Sequence, residues 1–187
     1  MKKNFWVNLL VLTYLFVFSS FALAEKAPQK IINLSNSKLG AIGTDPIIVQ
    51  AVKEQNSKGM SLAQIQEKDK QWKSTAGIAD YMKTMMESTC AKHIRKIQNS
   101  TAYYAEIFVM DNQGANVAMT DKTSDYWQGD EAKFQKSYNN GAGGVFIDEV
   151  EFDDSAQAYL VQVSVPVKDG GDVIGAITFG IDVDKAQ

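Results

Sequence analysis

The sequence has little of what several protein classes require. Its 187 residues include one cysteine, one histidine and three prolines. A single cysteine excludes an intramolecular disulfide scaffold, and a zinc site built from cysteine and histidine would lack ligands. The formal net charge of -3 argues against a basic nucleic-acid surface. With 45% hydrophobic residues, however, the chain can bury a core, so we expect an ordered globular protein.

One long apolar run stands at the start of the chain. Two lysines precede the apolar stretch 5–18, and Ala22-Leu23-Ala24 is a small-x-small site. This pattern predicts a signal peptide at 1–24, cleaved between Ala24 and Glu25, and a periplasmic protein after cleavage. Cleavage removes two lysines and no acid, which takes the formal charge from -3 to -5. The alternative is an uncleaved membrane anchor, because about 20 apolar residues span a bilayer.

The next part of the chain has helical signals. We expect a lead-in segment at 25–44 and a single domain at 45–187, whose helical half is 45–100 and whose sheet half is 103–185. Asp45-Pro46 is typical of the start of a first helix, which Gly59 ends, and Ser61 with Gln64 forms a capping box that starts the next helix. Apolar residues then recur every three or four positions up to about Asn99. This spacing predicts one long helix, or two in tandem with a break near 75–77.

The second half changes to an alternating pattern. Strands are predicted at 105–110 and 115–120, joined by the turn Asp111-Asn112-Gln113-Gly114. A short helix is predicted from about Asp130 to Tyr138, and a strand from Val145 to Phe152. Two further strands are predicted at 157–167 and 173–183.

The last two strands have different faces. Their odd positions are largely apolar, and pairing residue 163 with 177 and residue 161 with 179 matches these faces along the ladder. Their even positions are small and half polar. The odd positions should therefore face the long helix, and the even positions leave room for something smaller. The predicted fold class is α+β, with a long N-terminal helix packed on a central antiparallel sheet of about five strands.

These segments together resemble a known family. The strand and turn AEIFVMDNQG, the segment TSDYW and the final VSVPVKDGGDVIGAITFGIDV are similar to the Cache, or PAS-like, extracellular sensor domains of bacterial receptors. The likeness is greatest to single-Cache proteins that are exported alone, and it covers about 45–185. It implies a binding pocket on the sheet face opposite the long helix, under the segment 120–138.

The resemblance implies a small-molecule ligand: an amino acid, an amine or a small organic acid. The family's lid arginine is missing here, so Lys133 is the candidate replacement, and Asp153 or Asp154 corresponds to an acid that holds a ligand amine. Tyr126 and Trp127 offer flat surfaces with polar edges. The predicted ligand-binding residues are Asp121, Thr123, Asp125, Tyr126, Trp127, Lys133, Asp153, Gln162, Ser164 and Thr178.

The leading functional hypothesis is a periplasmic sensor module that reports ligand occupancy to a separate partner. That partner would be a membrane receptor, a kinase or a diguanylate cyclase, and the resemblance also implies a homodimer through the long helix. The alternative is an interaction or structural protein that keeps the sensor fold without a ligand. An enzyme is the weakest hypothesis, because the sequence contains no identifiable nucleophile–base pair. We therefore assign no catalytic residue, metal or cofactor, and no nucleic-acid partner.

Overall fold

Helices form the first half of the chain and strands form the second half in the computed structural model, which describes residues 25–154 and 156–186. The helices are α1 (Gln29–Leu34), which continues through a π-helical stretch (Ser35–Leu39) into α2 (Gly40–Ile42), then α3 (Pro46–Ser57), α4 (Leu62–Ser74), α5 (Asp80–Met86), α6 (Thr89–Gln98) and α7 (Ala132–Tyr138). The strands are β1 (Tyr104–Met110), β2 (Asn116–Met119), β3 (Phe146–Asp153), β4 (Ala158–Asp169) and β5 (Asp172–Asp182).

The helix starts follow the capping signals in the sequence. The Asp45 carboxylate accepts hydrogen bonds from the backbone N–H groups of Ile47 and Ile48, which have no partner within the helix. Ser61 and Gln64 form the expected capping box: Ser61 Oγ accepts from the Gln64 N–H, and Gln64 Oε1 accepts from the Ser61 N–H. Both predicted starts are confirmed.

The helical half is more divided than one long helix or a tandem pair. The expected break is present between α4 and α5, where Gly77 adopts a φ of +67° that favours glycine. A second break separates α5 from α6, where the Ser88 hydroxyl accepts from the Ala91 N–H and starts a new helix. The apolar spacing continues across both breaks, so spacing alone could not reveal them.

The five strands form one antiparallel sheet in the order β2-β1-β5-β4-β3. The α+β fold class with a five-stranded antiparallel sheet is therefore confirmed. The connection from β2 to β3 crosses the sheet from one edge to the other, and residues 120–138 of this connection, hereafter the lid, lie over one sheet face.

The predicted pairing of the last hairpin is wrong by two residues. Val163 pairs with Phe179 and Val161 pairs with Ile181. The reason is a tight turn at Gly170-Gly171, with Gly170 at a φ of +59°, which lets both strands extend to Asp169 and Asp172. Because a shift of two residues leaves every side chain on its face, the assignment of faces is unaffected.

The two sheet faces carry different layers. The odd face, defined by Val161, Val163 and Val165 of β4, packs on buried residues of α1, α3 and α6. The even face, defined by Gln162, Ser164 and Pro166, lies under the lid. Its apolar end, at Phe108, Met110 and Ala176, packs with α4, α5 and the lid. Thus α4 and α5 contact the face opposite to α3 and α6, whereas the sequence led us to expect a single helical layer on the odd face.

The predicted signal peptide and its alternative, a membrane anchor, fall on residues 1–24 and lie outside the described residues. Within residues 25–154 and 156–186, no helix has the length and apolarity needed to cross a membrane.

Candidate functional site

An open groove of about 440 Å³ lies on the even face, between the lid, α4 and the strands β1, β3 and β4. Its charged lining consists of three lysines and three acids: Lys73, Lys122, Lys133, Glu106, Asp153 and Asp154. Its uncharged lining consists of two aromatic and four polar residues: Trp72, Phe108, Thr123, Ser124, Gln128 and Gln162. The groove therefore offers both signs of charge and several hydrogen-bonding groups, while the rings of Trp72 and Phe108 are buried behind its wall.

A buried carboxylate holds the lid against α4. Asp69 Oδ1 accepts hydrogen bonds from the backbone N–H groups of Tyr126, at 2.9 Å, and Trp127, at 3.1 Å. The other oxygen of Asp69 pairs with Lys73 at 2.8 Å, and Lys73 also pairs with Asp125 of the lid at 2.8 Å. These two carboxylates raise the pKa of the Lys73 amine well above its usual value. The Lys73 amine therefore stays protonated and is held between the two carboxylates.

Two further contacts fix the same wall. The Trp72 indole N–H donates to the Thr123 carbonyl at 2.8 Å, and the Trp72 side chain is fully buried. Lys122 donates to the carbonyl oxygens of Thr75 and Gly77 at 3.0 and 2.8 Å. The lid is therefore tied to α4 and to the loop after it at several points, which favours a preformed groove.

Glu106 of β1 stands at the floor of the groove. Its Oε1 accepts a hydrogen bond from the Gln162 side-chain amide at 3.1 Å. Burial raises the pKa of the Glu106 carboxyl, and Asp153 and Asp121 raise it further, while Lys133 and the bond from Gln162 lower it. Gly180 makes room for this side chain, because a Cβ there would stand 2.5 Å from Glu106 Cγ. A nearby cation stabilises the charged form of a partly desolvated carboxyl of this kind.

Lys133 is the cation on the lid's helical side of the groove. Its amine pairs with Glu131 at 2.9 Å and lies 5.6 Å from the centre of the Phe108 ring. The side chain is only 14% exposed, so its charge is held close to the groove floor. This position suits a point charge that meets a ligand anion.

A second hollow of about 420 Å³ adjoins the groove and shares Glu106, Lys122 and Asp153 with it. It adds Gln98 of α6 and Asp121 of the lid, which are joined by a hydrogen bond of 3.3 Å. Glu106 and Asp153 thus line both spaces.

Five of the ten residues predicted for the ligand line these spaces. Thr123, Lys133, Asp153 and Gln162 line the groove, and Asp121 lines the adjoining hollow. Asp125 lies behind the groove wall, in its ion pair with Lys73.

The other four predicted residues lie elsewhere. Tyr126 is fully buried, with its ring 5.9 Å from that of Trp72, and Trp127 donates its indole N–H to the Gln113 carbonyl. Ser164 and Thr178 are fully buried and hydrogen-bonded to each other at 2.7 Å. Ser164 and Thr178 lie under the lid, where their hydroxyl groups satisfy each other, and none of the four residues lines the groove. The alternating pattern of the last two strands assigned Ser164 and Thr178 to the correct face, but it carried no information on what covers that face.

The sequence reasoning missed several lining residues, among them Glu106, Phe108, Lys122 and Gln128. A signal for Glu106 was present: it is the one charged residue within the apolar strand AEIFVM. For Lys122 and Gln128 no such signal exists, because a lysine and a glutamine in a polar connection are typical of any exposed loop.

The described residues include no group of three or more His, Cys, Asp and Glu side chains arranged to hold a metal ion. The groove supplies charges and hydrogen-bond donors and acceptors.

No protein-family model matches the chain, and no curated protein sequence matches it either. Solved structures do match. The sensor domain of the V. cholerae histidine kinase DctB is 15% identical over 84% of this chain and 52% of that one, with a TM-score of 0.45. The ligand-binding domain of the Campylobacter jejuni chemoreceptor Tlp3, in complex with 4-methylisoleucine, is 13% identical over 85% and 61%, with a TM-score of 0.40.

The ligand-binding domain of the Pseudomonas aeruginosa amino acid chemoreceptor PctC, in complex with GABA, is 12% identical over 79% of this chain and 61% of that one, with a TM-score of 0.39. These solved structures are sensor domains, the class that the sequence resembles. The chain spans between half and two thirds of their lengths.

Proposed function

We propose that this protein binds a small organic molecule carrying an ammonium group in the groove on the even face, and that it reports occupancy to a separate signalling protein. The observation that supports this most is the groove itself: about 440 Å³, lined by three lysines, three acids and four uncharged polar residues. Amino acids and other amines carrying a carboxylate match both signs of charge.

Glu106 is the groove acid on which the proposal rests. Lys73 pairs with Asp69 and Asp125, and Lys133 pairs with Glu131. Glu106, in contrast, has a neutral amide as its hydrogen-bond partner and a pKa raised by burial. An ammonium group beside Glu106 and Asp153 would offset this desolvation cost, so the ammonium is the ligand group with the largest expected contribution.

A carboxylate is the second expected ligand group. Lys133 and Lys122 line the same groove and are the cations that could meet it. We assign the ligand class as amino acid, amine or small organic acid, with the first two favoured by the position of Glu106. In this proposal the protein acts in the periplasm, and its partner is a membrane receptor, a kinase or a diguanylate cyclase.

One observation favours a second function, an interaction or structural protein that keeps the sensor fold. The centre of the even face is filled: Tyr126, Ser164 and Thr178 are fully buried under the lid and α4. In that case the groove at Glu106 would be a remnant occupied by water. Ligand screening separates the two functions.

The test is a thermal-shift screen of amino acids, polyamines and small carboxylic acids, followed by calorimetric titration of each compound that raises the melting temperature. Binding to the folded state alone raises the melting temperature. We expect an amine-bearing compound to give the largest rise. No rise with any of these classes would contradict a ligand-binding function and support the second one.

Matched variants locate the site. Glu106→Gln removes the negative charge and keeps the shape, and we expect it to weaken amine binding by at least about tenfold. Lys133→Met removes the lid cation, and we expect it to weaken a carboxylate-bearing ligand but not a simple amine. Controls are Glu67→Gln and Lys53→Met, which change exposed charges outside the groove. Equal effects of control and groove variants would place the ligand elsewhere.

A further inference from the structure

The outer strand β3 forms one edge of the sheet. On its inner side it pairs with β4 from Phe146 to Asp153. On its outer side, the Val150 N–H donates to the Glu25 carbonyl at 2.8 Å. Backbone groups along such an edge are ready to pair with another extended segment.

The edge beyond Val150 is open in the described part of the chain. Alternate residues of an antiparallel strand turn their N–H and C=O groups to the same side. Since Val150 turns its N–H outward to Glu25, Phe152 turns its own backbone groups outward as well. Residues 25–154 and 156–186 contain no backbone partner for them on that side.

An exposed aromatic pair lies beside this open edge. Phe152 and Tyr159 are cross-strand neighbours in β3 and β4, with ring centres 5.2 Å apart. They are 50% and 55% exposed, the two highest values among the large hydrophobic residues of the described chain. An added strand would bring its own side chains next to these rings.

The charge of the strand is entirely negative. Residues 146–154 contain five acids and no lysine or arginine: Asp148, Glu149, Glu151, Asp153 and Asp154. A second copy of β3 would place these acids against one another, and like charges opposite each other destabilise strand pairing. A basic segment, in contrast, complements them.

We propose that the edge of β3 from Val150 to Asp154 is a docking surface for an extended segment of a protein partner that carries lysine or arginine. The segment adds to the sheet as a sixth strand beyond β3, bonds to the outward backbone groups of Phe152, and packs an apolar residue on Phe152 and Tyr159. Each property of the partner answers one observation: the outward backbone groups of Phe152, with which none of residues 25–154 and 156–186 pairs, the exposed rings, and the acids. Strand addition of this kind takes its affinity from main-chain bonds and its specificity from alternate side chains.

The probe is a short synthetic peptide that alternates lysine and valine, with a peptide alternating glutamate and valine as its control. Titration into the isotope-labelled protein, followed by amide NMR, should shift the resonances of residues 150–154. The Phe152 amide should also become protected from hydrogen exchange. We expect binding of the basic peptide to weaken as salt is raised, and no binding of the acidic one.

Three variants test the three features. Glu149→Lys with Glu151→Lys should weaken the basic peptide by at least about tenfold, whereas the exposed pair Glu67→Lys with Asp80→Lys, of equal charge change, should not. Phe152→Ala removes the ring and keeps the N–H, and Phe152→Pro also removes the N–H, so the proline variant should bind more weakly than the alanine variant. Circular dichroism checks that each variant folds.

Several results would overturn the proposal: no binding of the basic peptide, equal binding by the charge-reversed variant, or shifts outside β3. A Phe152 amide already protected in the free protein would mean that the edge is occupied by residues of the same chain. A dimer in sedimentation that Phe152→Pro dissociates would mean that a second copy occupies it. Since Glu106→Gln leaves this edge intact, loss of ligand binding in that variant does not affect the peptide result.

Discussion

The two faces of the sheet are formed by the same strands but differ in what covers them. On the odd face, valines 161, 163, 165 and 167 meet buried residues of α3 and α6, and the layer is closed and apolar. On the even face, the same strands present Gln162 and the Ser164–Thr178 pair, and the covering lid is held by polar contacts from Asp69 and Trp72. The odd face is thus closed by apolar packing, whereas the even face combines a second buried apolar cluster with a groove lined by charged groups.

The largest predicted effect breaks the lid's attachment. Trp72→Ala removes a fully buried indole and its bond to the Thr123 carbonyl, so we expect a loss of about 3–5 kcal/mol in the free energy of unfolding. The control is Trp127→Ala, whose side chain is only partly buried. Urea denaturation measures both. A smaller loss for Trp72→Ala than for Trp127→Ala would contradict the role given to Trp72.

The next effect concerns the buried carboxylate. Asp69→Ala leaves two backbone N–H groups of the lid without their acceptor, and we expect a loss of about 2–3 kcal/mol. Lys73→Ala removes a half-exposed cation from the same cluster and should cost less than about 1 kcal/mol. Hydrogen exchange should show faster exchange of the Tyr126 and Trp127 amides in Asp69→Ala. Unchanged exchange would mean that Asp69 does not hold the lid.

A smaller effect tests the polar pair at the centre of the even face. Thr178→Val leaves the buried Ser164 hydroxyl without its partner, and we expect a loss of about 1–2 kcal/mol. Adding Ser164→Ala to Thr178→Val should recover most of that loss, because neither polar group is then left unpaired. The comparison on the odd face is Val163→Ala, where no second substitution would restore the lost packing. Strict additivity of the two even-face substitutions would contradict a direct bond between them.

The smallest effect is the pH dependence given by Glu106. Its pKa in the folded protein is raised above 4.5, the ordinary value, so the folded state keeps this proton to a higher pH than the unfolded chain does. The free energy of unfolding therefore falls as pH rises from 4.5 through the raised pKa, and is level beyond it. Glu106→Gln should remove this fall, as measured by urea denaturation at several pH values. A wild-type curve parallel to that of Glu106→Gln would show that Glu106 ionises normally.

Much of this comparison could be predicted from the sequence. Alternation along 157–167 and 173–183 assigned the odd and even faces correctly, because strand periodicity does not depend on the rest of the fold. The Asp45 and Ser61 caps were found for the same reason, since a cap is a local contact. The predicted pairing of β4 with β5 was wrong by two residues, because the turn at Gly170-Gly171, and not the apolar pattern, sets the register of the two strands.

The rest depends on contacts distant in sequence. Tyr126 and Trp127 were assigned to the ligand from their chemistry, but Asp69, more than fifty residues earlier, turns that segment so that Tyr126 becomes core. Glu106 reaches the groove because Gly180, on a strand far along the chain, leaves room for it. No local pattern in the sequence encodes either contact.

The central claim is that the even face binds a ligand near Glu106. The most direct measurement is an amide NMR titration of the labelled protein with the amine-bearing compound that gives the largest thermal shift. The account predicts that the resonances of Glu106, the Gln162 side chain and Lys133 move together with saturation, while those of Val163 and Val165 on the odd face stay in place. Saturable changes confined to the odd face or to α3 and α6, with Glu106 and Gln162 unmoved, would contradict it.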